Sequence, residues 1–206
     1  MARRPVAKPK PVEPPRAWQR MLSGRRLDLL NPSPLDIEIE DIAQGLSRVA
    51  RWNGQTEGDW AFTVAQHSLV VDALVGQLKP LWPASWRLAT LLHDGAEYVL
   101  GDLITPFKSQ IGRTYRELEH RLLGAIHLRF GLPATLPQPV TLAIKRADKI
   151  AAYFEATRLA GFGEAEALRF FGRPGRIAVP DLRPLAPAEA MARFLARFRV
   201  LQEALE

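Results

Sequence analysis

The sequence has no cysteine among its 206 residues. That excludes disulfide bridges and thiolate-bound metals. No apolar run approaches the ~20 residues needed to span a membrane as a helix. The amino terminus is basic but lacks an apolar segment, so it does not read as a secretory signal. A cytoplasmic protein without membrane attachment is the expectation. Beyond residue 30 there is no surplus of either charge. Residues 1–30 hold eight Lys/Arg against Glu13 and Asp28, and so carry the entire formal net charge of +6. The remainder has twenty bases and twenty acids. Five prolines (Pro5, Pro9, Pro11, Pro14 and Pro15) mark residues 1–20 as an extended or disordered basic tail. Nucleic-acid contact is expected only through that tail, because the rest has no basic excess to follow a polyanion.

What remains is ample for a core. Hydrophobic residues make up 47% of the chain, and residues 21–206 are most simply one domain. Leu35, Ile37 and Ile39 alternate with acids, which predicts a short strand. Helical spacing follows over 41–51. Thr63 predicts a helix start, with Gln66 three residues on reaching back to complete a capping box. Further helices are predicted over 85–101, 113–130, 139–160 and 187–205, with Gly101, Gly131 and Gly161 as stops and Pro187 as a first residue. Gly172 to Pro180 reads as a loop, with a short strand possible at Ile177–Val179. The predicted class is all-α, with at most a short strand or hairpin.

Four side chains stand out: His67, the pair His93-Asp94, and Asp148. Each is predicted on the apolar face of one of three helices. A buried, unpaired carboxylate is expensive, and a shared cation would compensate all of them. Taken singly, each has a plainer reading: a hydrogen-bonded core histidine, or an aspartate paired with Arg87 or Lys149. Two nitrogens and two carboxylates suit borderline divalent ions and leave coordination positions open for water and substrate. His120 and His127 are seven residues apart, about 10 Å along a helix. They cannot chelate one ion together and are expected to be ordinary surface or packing residues.

The order His67, His93-Asp94, Asp148 resembles the signature of the HD-domain metal-dependent phosphohydrolases. The run from Gly101 to Lys108 after His93-Asp94-Gly95-Ala96-Glu97 resembles the bacterial 5′-deoxynucleotidase branch. So do Arg51-Trp52 and Ala147-Asp148-Lys149. The likeness covers residues 35–160. It implies one divalent ion (manganese, cobalt, zinc, iron or magnesium) on His67, His93, Asp94 and Asp148. It implies acid/base roles for Glu97 and Asp102, and substrate contacts from Arg51, Trp52 and Lys108. The implied reaction removes phosphate from deoxynucleoside 5′-monophosphates. The alternatives are a deoxynucleoside triphosphate triphosphohydrolase and a non-catalytic nucleotide- or partner-binding module. The family's habit implies a homodimer.

Overall fold

Ten of the fifteen residues of one helix, Val64–Leu78, are buried, and the fold is built around it. The computed structural model describes residues 17–104 and 112–205. Among these, eight α-helices and one two-stranded hairpin form an all-α protein. The hairpin pairs β1 (Trp18–Arg20) with β2 (Arg26–Asp28), antiparallel, with Gln19 opposite Leu27. Its first strand therefore uses the last residues of the expected tail. The helices are α1 (Ile39–Leu46), α2 (Val64–Leu78), α3 (Ala84–Leu91), α4 (Glu97–Leu100), α5 (Arg113–Arg129), α6 (Gln138–Arg158), α7 (Glu164–Phe171) and α8 (Pro187–Glu203). None of them is long and apolar enough to cross a membrane.

Helix α2 is central because it joins two apolar clusters. Its first turn, with Val64 and Ala65, meets Ile42, Leu46, Leu88, Leu91, Leu92, Ile126 and Phe194. Its later turns, with Val71, Leu74 and Val75, meet Phe62, Ala147, Ile150, Ala151 and Phe154. Helices α3, α6 and α8 pack directly on it. Thr63 caps its start by accepting from the Gln66 N–H at 3.3 Å. The Gln66 side chain does not reach back. Its amide instead donates to the Arg183 carbonyl and accepts from the Leu185 N–H, strapping the 181–186 segment to the helix.

Three predicted elements differ. Leu35, Ile37 and Ile39 do not form a strand. Ser33 caps a single 3-10 turn at Pro34–Asp36, Leu35 faces solvent, and α1 begins at Ile39. The predicted 85–101 helix breaks between Leu91 and Glu97. Gly95 sits in that break, and a Cβ on it would meet the Leu92 carbonyl oxygen at 2.9 Å and Ile126 at 3.3 Å. His93 and Asp94 therefore project from a tight turn rather than from a helix face. Helix α7 falls in a stretch with no predicted element, and Ile177–Val179 forms no strand.

Candidate metal centre and cleft

Three elements deliver the ligand set. Helix α2 supplies His67, the α3–α4 turn supplies His93 and Asp94, and α6 supplies Asp148. Candidate ligand atoms of His67, His93 and Asp148 all lie within 4.8 Å of one another. Asp94 Oδ2 is 3.4 Å from His67 Nε2 and 3.1 Å from His93 Nε2. Asp148 Oδ1 is 3.2 Å from His67 Nε2. His67 is fully buried, whereas the Asp94 and Asp148 side chains are 22% and 40% exposed. The cluster thus has a closed back and an open front.

The histidine tautomers follow from what lies behind them. His93 Nδ1 is 2.9 Å from the Thr90 carbonyl, which can only accept, so the proton sits on Nδ1. His67 Nδ1 is 2.5 Å from Glu155 Oε1. Glu155 is pushed up by burial, but Arg51, His67 and Trp52 outweigh that and hold it at about 2. An ionised Glu155 accepts, so His67 also donates from Nδ1. Both Nε2 atoms are buried and have no hydrogen-bond partner among the described residues. Bare lone pairs facing carboxylate oxygens repel, so something positive must lie between them. At His67, in the absence of a cation, that is a proton. Burial and Arg51 push His67 down, yet Glu155 and Asp148 raise it to about 10. Burial also opposes ionisation of Asp94 and Asp148, but His93 and His67 hold Asp94 low and His67 holds Asp148 low. A carboxylate or carbonyl behind each imidazole is the usual support of a metal-binding histidine. The residues present fit a divalent ion.

Glu155 was not identified from the sequence. It lies seven residues after Asp148, buried among Ala151, Ala152 and Phe154. Its other oxygen, Oε2, accepts from Trp52 Nε1 at 2.9 Å and from Arg51 Nε and Nη2 at 3.3 Å each. Arg51 Nη1 donates to Asp102 at 3.1 Å. Arg51 is therefore occupied on both sides, and opposite charges favour its charged form despite burial. The indole of Trp52 packs against Phe162 and Phe171, with centroids at 5.5 and 5.9 Å. Trp52 and Asn53 both adopt left-handed backbone, φ 56° and 52°. That conformation is strained for a bulky side chain. It is held by the Glu155 bond, the aromatic contacts and the Arg51 N–H, which donates to the Phe62 carbonyl at 2.8 Å. Arg51 and Trp52 thus support the cluster from behind.

The open side is a cleft of about 790 Å³. His93, Asp94, Asp148 and Glu97 line one part of it. Glu97 is buried at the start of α4. Its helix is pressed onto α1 at Gly45, where a Cβ would come within 2.7 Å of Tyr98. His120 and His127 also line the cleft, His120 exposed and His127 buried with Nδ1 toward the Ala134 carbonyl. Lys108 lies outside the described residues.

An uncharacterized protein of Rhodobacter capsulatus is 59% identical over 192 residues, which cover 92% of this chain and 98% of that protein. The chain belongs to that protein's family. The uncharacterized protein YfdR of Escherichia coli K12 is 29% identical over 168 residues, covering 82% of this chain and 86% of YfdR. No family model matches the chain.

Proposed function

We propose that this protein is a divalent-metal phosphohydrolase of the HD-domain type that removes phosphate from deoxynucleoside 5′-monophosphates. One observation carries the reading: two bare imidazole Nε2 atoms converge with two carboxylates at the wall of a cleft large enough for a nucleotide. His67, His93, Asp94 and Asp148 would hold the ion. When bound, such an ion lowers the pKa of a water and polarises a phosphoryl oxygen.

The remaining steps belong to side chains of this protein. Glu97 faces the cleft and takes the proton of the attacking water. Asp102 is ion-paired with Arg51, an arrangement that suits orienting a hydroxyl more than giving up a proton. Glu155 keeps the His67 proton on Nδ1 and so keeps Nε2 available as a ligand.

Product analysis by mass spectrometry tests the proposal. The protein is stripped of metal, reloaded with manganese or cobalt, and offered deoxynucleoside mono- and triphosphates. Nucleoside plus orthophosphate from monophosphates is the expected result. Nucleoside plus tripolyphosphate would instead make it a triphosphohydrolase with the same residues in use. No turnover with any metal would leave a nucleotide- or partner-binding module.

A further inference from the structure

Arg51 is the cation nearest the cluster in the ion pairs described above, and Glu155 and Asp102 already occupy its guanidinium. The front of the site must therefore find its anion-binding charge elsewhere. Among the described residues, three basic side chains line the cleft: Arg116, Arg121 and Lys145. Arg121 is engaged, donating to the Leu30 carbonyl at 2.7 Å and to the Glu117 carbonyl. Arg116 and Lys145 are exposed and make no ion pair among the described residues.

Their positions suit one task. Lys145 lies three residues before Asp148 on α6, one turn along the same face and about 4.5 Å along the axis. Arg116 lines the same cleft from α5, with His120 one turn further on. Four carboxylates also line the cleft: Asp94, Glu97, Glu119 and Asp148. A divalent ion and the three bases would leave it with a net charge of about +1, histidines being neutral. Without the ion the same walls would repel a phosphate.

We propose that Lys145 and Arg116 form the phosphate-binding arm of this cleft, Lys145 holding a non-bridging oxygen of a phosphomonoester dianion beside the metal cluster and Arg116 closing on it from α5. This rests on the phosphohydrolase reading. It assigns substrate charge recognition to α5 and α6 rather than to Arg51.

The test is calorimetric titration of the manganese-loaded protein with inorganic phosphate at low salt, with metal content checked in every variant. Lys145→Gln is expected to weaken phosphate binding tenfold or more, and Arg116→Gln about threefold or more, with bound metal unchanged. Arg146→Gln, an equal charge change on α6 outside the cleft, is the control and should bind like the parent. Phosphate binding within twofold of the parent in both Lys145→Gln and Arg116→Gln would overturn the arm, as would a parent protein that binds no phosphate. Nucleotide turnover separates the two proposals. Loss of phosphate binding in Lys145→Gln, with no nucleotide hydrolysed by the parent, keeps the arm and removes the phosphohydrolase. Turnover with an unchanged KM in both variants keeps the phosphohydrolase and removes the arm.

Discussion

Helix α2 carries two charged groups five residues apart, and they are built on opposite plans. Asp72 accepts from Arg87 Nε at 2.6 Å and from Arg197 Nε at 2.7 Å, one guanidinium to each carboxylate oxygen. Nothing is left over, and the group clamps α2 to α3 and α8. His67 sits in a cluster where negative groups outnumber positive ones and both imidazole Nε2 atoms lack a hydrogen-bond partner. A closed ion network does its work by holding helices together. An incomplete one needs something from solution, and that need distinguishes a site from a clamp.

The comparison can be broken at several points. The largest effect is expected from Asp148→Ala, a half-exposed side chain whose loss should not unfold the chain. It should abolish stoichiometric metal binding, measured by elemental analysis, and reduce turnover to background. Glu97→Ala should keep the metal and lower kcat by ~10²-fold or more, the usual scale for a positioned acid/base group. Full activity in that variant would remove Glu97 from the mechanism while sparing the ligands. Glu155→Gln should weaken metal affinity by about 10- to 100-fold, the ordinary cost of losing a ligand's support. Competition with a chelator would read this directly.

Acidity offers a graded probe of the same imbalance. With His67 raised to about 10, the metal-free site is protonated at neutral pH, and metal must displace that proton. Apparent affinity should rise about tenfold per pH unit between pH 7 and 9. A flat profile would show that His67 is already neutral in the metal-free protein, against the raised pKa. In the metal-free protein, the His67 contribution to stability is complete below pH 6.5 and is lost as pH rises through 10. The Glu155 contribution is complete above pH 4.5 and is lost as pH falls toward 2. The smallest effect at the site is expected from Asp72→Asn. Removing that charge should cost about 1–3 kcal/mol of stability in a denaturant titration, reduced because both arginines are partly exposed. Metal content and kcat should not change.

The sequence made much of this visible, for local reasons. The Thr63 cap, the long apolar periodicities of α6 and α8, and the four clustered side chains His67, His93, Asp94 and Asp148 are all readable from neighbouring residues. The differences arose where a turn signal or a distant contact outweighed the local pattern. Alternation at Leu35 to Ile39 predicts a strand, but Ser33 and Pro34 wind the chain into a turn that leaves Leu35 outside and buries Ile37. The α3–α4 break follows from the close approach of Gly95 to Ile126. Gln66 carried the pattern of a capping box, yet its partners are Arg183 and Leu185. Glu155 left only a faint trace, an acid in an apolar run, because its partner Arg51 is 104 positions away. Arg51 and Trp52 read as substrate contacts through the resemblance alone, and the partners of their side chains are Glu155, Asp102, Phe162 and Phe171.

That separation bears on how the protein is made. The cluster and its supports come from residues 51, 67, 93, 94, 102, 148 and 155, and His67 waits 88 positions for the carboxylate that fixes its ring. During synthesis α2 emerges long before α6, so the buried imidazole and Arg51 have only Asp94 and Asp102 beside them until Asp148 and Glu155 are made, three-quarters of the way along the chain. Pairings of such long sequence separation close slowly. Completion of the cluster is therefore a late event in folding, and a nascent chain stalled before α6 would expose part of the apolar face of α2 with its charges only partly matched.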